Sequence, residues 1–240
     1  MRLARDDDWM WYTHGVEFYA AMLSSGVNFA QANYGDGEWG CILGHQRTNS
    51  QGETYCPELS LALQRTLLEP VGMWCGTNPG QKLRPQVDAW VSDHRVDVPW
   101  IYKETLAAAN VNGELAPVFR ALRTRRVVLV GPRHLSRLPD NVVGKPAAFV
   151  EVPDGTAWQV FERTCADVGA VVQDGDVVLF ASGMATNLSV HRLWPTLRGR
   201  VTLLDIGACL DPYGGVVSRK GYRKDSFQNE AKARNLEGLA

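Results

Sequence analysis

The residues in this sequence best suited to chemistry are Asp36 and Glu38, two carboxylates two residues apart in the stretch Tyr34-Gly35-Asp36-Gly37-Glu38. Gly35 and Gly37 let the backbone turn sharply and let a bulky ligand come close. Paired carboxylates on such a loop suit a hard divalent cation, which takes oxygen ligands. Mg²⁺ or Mn²⁺ keeps several waters and is held by one or two carboxylates plus phosphate oxygens. A metal there would stabilise a diphosphate leaving group as it gathers negative charge. The plainer alternative is a surface turn in which Asp36 caps a helix starting near Trp39.

Three further turns follow apolar runs. Val130-Gly131-Pro132 ends one, and Ala181-Ser182-Gly183-Met184-Ala185-Thr186-Asn187 ends the next and leads into a helix. A glycine turn opening a helix presents free N–H groups to a pyrophosphate. Ser182, Thr186 and Asn187 can add side-chain hydrogen bonds, unless the segment is only a capped strand-to-helix turn. Neither turn fits a dinucleotide or P-loop pattern. The third turn is Asp205-Ile206-Gly207. Asp205, Gly207, Gly131, Gly183 and Gly35 thus join the candidate binding residues. Asp211 is a candidate general base for an acceptor hydroxyl, although Asp211-Pro212 also reads as a turn start. His134 and His191 are more simply packed or solvated side chains.

The elements that must position these residues are legible from periodicity. Helical spacing covers residues 15–25, 57–68, 113–122, 156–168 and 186–197, with helix and turn over 79–97. Strands are expected at 27–33, 71–75, 127–130, 147–152, 177–181 and 201–206. Continuous apolar strands alternating with amphipathic helices predict an α/β, Rossmann-like fold, a mostly parallel sheet with helices on both faces. Ligands then gather at the carboxyl ends of the strands. That places Asp36, Gly131, Gly183 and Gly207 on one edge. One domain is expected over residues 1–215, followed by a basic, polar tail over 216–240.

Composition is that of a globular protein: 45% hydrophobic, 21% charged, formal net charge −1. A near-neutral chain has no global pull toward nucleic acid or membrane. No apolar run is long enough for a span, and the N-terminus lacks a signal-peptide core. The five cysteines, Cys41, Cys56, Cys75, Cys165 and Cys209, include no C-x-x-C pair. Reduced thiols in a cytoplasm are expected. Basic residues do cluster, at Arg120, Arg123, Arg125, Arg126, Arg133 and Arg137, and again at Arg219, Lys220, Arg223, Lys224, Lys232 and Arg234. Tyr222 and Phe227 lie among the second group, a mix that can grip a nucleic-acid backbone or form an ordinary solvated face.

The stretch Asn33-Tyr34-Gly35-Asp36-Gly37-Glu38 resembles the R-[FY]-G-D-G-E signature of the GT-D type glycosyltransferases, a family first known as a domain of unknown function. Leu204-Asp205-Ile206-Gly207 resembles that family's D-I-G motif. The resemblance touches most of residues 15–215, though only these two motifs are specific. It implies metal-dependent transfer of a sugar from a nucleotide sugar, UDP-hexose for preference, with Glu38 ahead of Asp36 as the direct metal ligand. The acceptor would be a glycan, a glycoprotein or a hydroxymethylated pyrimidine in DNA. Asn33 stands where the signature has arginine, and Ala208 where a histidine often follows D-I-G. Two other functions compete: a nucleotide-dependent methyltransferase, and a nucleotide-binding module without turnover.

Overall fold

The computed structural model describes residues 2–6, 9–13, 15–45, 47–48 and 52–239. Its strands are β1 (Arg2–Asp6), β2 (Trp9–Thr13), β3 (Ala30–Tyr34), β4 (Trp74–Thr77), β5 (Trp100–Tyr102), β6 (Val127–Gly131), β7 (Ala148–Glu151), β8 (Val177–Phe180) and β9 (Thr202–Asp205). They form one sheet in the order β1-β2-β5-β4-β3-β9-β8-β6-β7. β1 is antiparallel to β2, and every other neighbouring pair is parallel. The central pair, β3 and β9, joins segments far apart in sequence, with Ala30 opposite Leu203 and Gln31 opposite Leu204.

The helices are α1 (Val16–Ser25), α2 (Asp36–Ile42), α3 (Pro57–Leu68), α4 (Arg84–Asp93), α5 (Thr105–Asn112), α6 (Ala116–Arg123), α7 (Asp140–Val143), α8 (Phe161–Val171), α9 (Ala185–Leu197) and α10 (Lys232–Asn235). Strand side chains alternate between two cores. Val128, Val130, Val178, Phe180 and Leu203 pack with α3 and α9 through Leu59, Leu63 and Leu188. Val127, Leu129, Val177, Leu179 and Leu204 pack on the other side with α1 and α6 through Tyr19, Leu23 and Phe119. Both faces of the sheet are buried, which is why the strands read as unbroken apolar runs.

Several boundaries differ from the sequence reading. The first predicted strand starts at Ala30 rather than residue 27, because Val27 is exposed and Asn28 donates to the Gly199 carbonyl at 3.0 Å. The helix expected at 113–122 is α6, which starts only at Ala116, because Gly113, at φ +77°, caps the preceding α5. The left-handed backbone there favours glycine. The expected helix at 156–168 opens with a 3-10 turn, Ala157–Val160, before α8. β5 and α5 were not anticipated.

The segment read as a polar tail carries a 3-10 turn (Lys220–Arg223), a π-helical turn (Phe227–Ala231) and α10. Tyr222, Phe227 and Ala231 are buried against Val111 and Ala208. A buried polar network fastens the segment. Asn235 Nδ2 donates to Asn110 Oδ1 at 2.9 Å and to Tyr213 Oη at 2.8 Å, while its Oδ1 accepts from the Leu115 amide at 2.7 Å. Tyr213 donates to Asn110 Oδ1 at 2.7 Å, and Asn110 donates to the Cys209 carbonyl at 2.8 Å. Among the described residues no helix is long and apolar enough to cross a membrane. All five cysteines are free thiols, and burial pushes those of Cys41, Cys75 and Cys209 up to about 12.

Candidate active site

The site is built from the end of β3. Tyr34 is buried there, its hydroxyl 2.7 Å from Thr66 Oγ1 on α3. One residue later the chain enters α2. Asp36 and Glu38 therefore sit in the first turn of a helix, not on the tight loop expected from the glycines. Two glycines make this a poor helix by propensity, so tertiary contacts must hold it. Trp39 provides the main one. It is fully buried, donates through Nε1 to Thr77 Oγ1 at 2.9 Å, and packs among Tyr34, Trp90 and Trp100. Thr77 in turn donates to the Tyr34 carbonyl at 3.2 Å, so the helix is pinned to both β3 and β4.

The two carboxylates differ in surroundings. Glu38 reaches back, and its Oε2 accepts from the Gly35 amide at 2.7 Å, half of a capping box, since Gly35 has no side chain to complete it. Burial raises its carboxyl above the usual range, against the opposing pull of backbone donors and of the Lys103 and Arg219 charges. Asp36 is exposed, and its Oδ1 accepts from the Gly80 amide at 2.9 Å. A Cβ on Gly80 would come within 3.1 Å of the Asp36 carboxylate.

Asp205, at the end of β9, is 7% exposed. Its Oδ2 accepts from the Asn33 amide and its Oδ1 from the Gly207 amide, each at 2.9 Å. It thus ties the end of β3 to the turn after β9. Burial, with the Glu38 charge, raises its carboxyl to about 7, although the two amide donors oppose the shift. Asn33 closes the brace by donating to the Asp205 carbonyl at 3.2 Å and accepting on its own carbonyl from Asn187 Nδ2 at 3.0 Å.

These residues line an open cavity of about 790 Å³ at the carboxyl ends of β3, β4, β5, β8 and β9. Of the residues singled out from sequence, Gly35, Asp36, Glu38, Gly183, Asp205 and Gly207 all face it. Others do not. Gly131 is buried within β6, where a Cβ would meet Leu135 Cδ1 at 2.8 Å. Thr186 is buried, and its hydroxyl lies 2.9 Å from Ser182 Oγ. Ser182, Thr186 and Asn187 therefore brace the β8–α9 turn from outside the large cavity. Asp211 also lies outside it. One carboxylate oxygen is 3.0 Å from His134 Nε2 and the other accepts from Ser218 Oγ. That placement makes Asp211 a clasp on the 211–218 segment. His191 Nε2 is spent on the Glu69 carbonyl, 2.8 Å away.

The cavity also holds residues the sequence reading passed over: Arg47, Tyr55, Asn78, Lys103 and Glu104. Asn78 and Lys103 directly follow β4 and β5, so strand-end position was the available signal. The three residues of β5 gave it too little length to be seen. Of the two basic segments only the second reaches the cavity, through Arg219. The first begins at the amino ends of the strands, with Arg120 to Arg126 running from α6 to the start of β6, and its Arg133 and Arg137 follow the carboxyl end of β6 without lining the cavity. At the amino ends Arg125 donates to the Gly175 carbonyl at 2.6 Å and Arg126 pairs with the buried Asp176, just before β8.

The oxygen donors fit a hard divalent cation. Asp36 accepts from the Gly80 amide and Glu38 from the Gly35 amide, and both line the cavity, where their carboxylate oxygens could hold a metal. Among the described residues no three His, Cys, Asp or Glu side chains form a closed metal cage. A cation held here would complete its shell with water and phosphate, the habit of Mg²⁺ and Mn²⁺ rather than of structural zinc.

No protein-family model matches the sequence, and no curated protein does. The fold is similar to two solved structures of the domain of unknown function 1792, one described as selenomethionine-substituted and one as having a distinct glycosyltransferase fold. Each superposes with a TM-score of 0.56 over 85% of this chain and 80% of the other, at 14% identity. The likeness agrees with the parallel sheet and establishes the architecture: the chain has the α/β, Rossmann-like fold of these structures.

Proposed function

We propose that this chain transfers a glycosyl group from a nucleotide-sugar donor, UDP-hexose in the first instance, to an acceptor hydroxyl with the help of a divalent cation. The observation that carries the reading is the convergence of Asp36, Glu38 and Asp205 on one strand-end cavity in a glycosyltransferase fold. Asp36 and Glu38 would hold Mn²⁺ or Mg²⁺, which when bound neutralises charge on the departing diphosphate. The charge balance favours this. The cavity presents four carboxyl side chains, Asp36, Glu38, Glu104 and Asp205, against three cations, Arg47, Lys103 and Arg219. Burial holds Glu38 and Asp205 above the ordinary carboxylate range, so the cavity is near neutral, and a divalent cation would add the positive charge that a departing diphosphate needs. Gly35, Gly183 and Gly207 keep the backbone open to a large ligand. Asp205 keeps the ends of β3 and β9 in register beneath it.

The acceptor enters beside the C-terminal segment, where Arg219 and Tyr222 form one wall. Arg223 and Lys224 follow on the exposed surface. That wall suits an anionic acceptor such as DNA carrying hydroxymethylated pyrimidines, with a glycan or glycoprotein as the other acceptor class. The test is a panel of nucleotide sugars with Mn²⁺ or Mg²⁺, assayed for donor hydrolysis and then for transfer of labelled sugar to hydroxymethylated DNA, plain DNA and simple glycans. Metal-dependent turnover of one donor supports the reading. Absence of turnover with every donor and metal overturns it. Salt-sensitive transfer to modified DNA selects the first acceptor class, and salt-insensitive transfer to a neutral glycan selects the second.

A further inference from the structure

Lys103 follows β5 and has no part in the sequence motifs. Its stem crosses the floor of the cavity. In the parallel register Asn33 of β3 lies beside Gly76 of β4, and Gly76 beside Ile101 of β5. A Cβ on Gly76 would come within 2.2 Å of Asn33 Oδ1 and 3.1 Å of Lys103 Cβ. Glycine at position 76 thus makes the space in which the Asn33 and Lys103 side chains lie side by side. The ammonium ends beside Gly35. Lys103 Nζ and Glu38 Oε2 are each 3.3 Å from the point a Gly35 Cβ would occupy. The Lys103 side chain is only 21% exposed, yet its partner is the carboxylate of the adjacent Glu104, itself 34% exposed. The pair joins adjacent residues at the open cavity, and both line it, so an incoming anion can take the place of the Glu104 carboxylate. Arg219 comes from the C-terminal segment onto the same cavity.

We propose that Lys103, with Arg219 facing it, is a diphosphate-binding cation of this cavity, exchanging Glu104 for phosphate oxygens when a nucleoside diphosphate binds. This deepens the proposed function by assigning the leaving group a protein contact separate from the metal. A lysine is a point charge suited to phosphate, and a low-dielectric floor strengthens its attraction relative to water. The contact operates in metal-free protein, where it can be isolated.

The experiment is calorimetric titration of the full chain, in chelator, with inorganic pyrophosphate and separately with UDP. Wild type is expected to bind both, and Lys103→Met to bind both at least about tenfold more weakly. Lys103→Arg retains most of the affinity, and Glu104→Gln binds pyrophosphate at least as tightly as wild type because the competing carboxylate is gone. Uridine separates phosphate binding from a general change in the pocket, since its affinity is the same in wild type and Lys103→Met. Failure of wild type to bind pyrophosphate or UDP, or equal binding by wild type and Lys103→Met, overturns the proposal. So does loss of binding in Glu104→Gln. The two readings fail separately: Lys103-dependent pyrophosphate binding without turnover of any nucleotide sugar would sink glycosyl transfer and leave this site standing.

Discussion

Replacing Asp205 by alanine removes a side chain that joins the end of β3 to the turn after β9 through two backbone amides. Two backbone donors, the amides of Asn33 and Gly207, lose their acceptors at once. Leaving a buried donor unmade costs about 1–3 kcal/mol. Both amides border a solvent-filled cavity, so the lower half of that range applies to each, for roughly 2–4 kcal/mol in all. In a domain of this size 1 kcal/mol corresponds to about 2–4 °C, which puts the expected fall in melting temperature at roughly 5–15 °C. The pH dependence has a definite sign. Burial raises the Asp205 carboxyl from 3.8 to about 7, so the folded chain holds this proton more tightly than the unfolded chain. The associated stability is fully present below pH 3.8 and is lost as pH rises through about 7. Wild type should therefore lead the alanine variant by more at pH 5 than at pH 8. Thermal melts at both values, with hydrogen exchange at the Asn33 amide, decide the matter. Melting within 1 °C of wild type at both pH values, with that amide still protected, would refute the reasoning.

Four further outcomes are expected. Glu38→Gln keeps an oxygen for the Gly35 amide, so its melt should stay near wild type while metal-dependent turnover falls by roughly 100-fold, the loss of a few kcal/mol of charge stabilisation; a variant with full turnover contradicts the assignment. UDP with Mn²⁺ at about 100 times its dissociation constant should add roughly 2.7 kcal/mol of stability, read as an upward melting shift; no shift with any nucleoside diphosphate counts against a nucleotide site. Arg126→Ala strands the buried Asp176 carboxylate and should cost toward the lower end of about 3–5 kcal/mol, with turnover at permissive temperature unchanged because the pair lies on the far edge of the sheet. Tyr213→Phe removes a hydroxyl that donates to Asn110 and accepts from Asn235. It should cost about 1–3 kcal/mol and loosen the wall carrying Arg219, seen as faster proteolysis after residue 215.

Much of the site was legible because it lies on strand ends. β6, β8 and β9 are short buried runs built mainly of Val and Leu, and the residues after β8 and β9 lead to Gly183 and Gly207. The carboxylate pair was legible as chemistry but not as structure. Gly35 and Gly37 point to a turn, whereas burial of Trp39 between β4 and α4 carries the chain into α2 at Asp36. The Gly35 to Glu38 spacing of a capping box was the one local sign. Lys103 was hidden because β5 has three residues, preceded by Pro99, and shows no periodicity. The C-terminal wall was hidden for a different reason. It is held by Asn110, Tyr213 and Asn235 through side-chain hydrogen bonds between distant positions, and no apolar repeat announces it. Gly131 and the Ser182, Thr186 and Asn187 group carry the right residue types at strand ends, but Leu135 fills the space beside Gly131, Ser182 and Thr186 pair with each other, and Asn187 Nδ2 is taken by the Asn33 carbonyl. Only the packed structure could show that.

The central claim is that the cavity around Asp36, Glu38 and Asp205 cleaves a nucleotide sugar with a divalent cation. The most direct test is release of nucleoside diphosphate from a panel of nucleotide sugars, with Mn²⁺ and with chelator, by wild type and Glu38→Gln side by side. The account predicts turnover of at least one donor by wild type with Mn²⁺, abolished by chelator and by the substitution, while both proteins melt alike. Turnover that survives both chelator and Glu38→Gln, or no turnover of any donor by folded wild type, would contradict it.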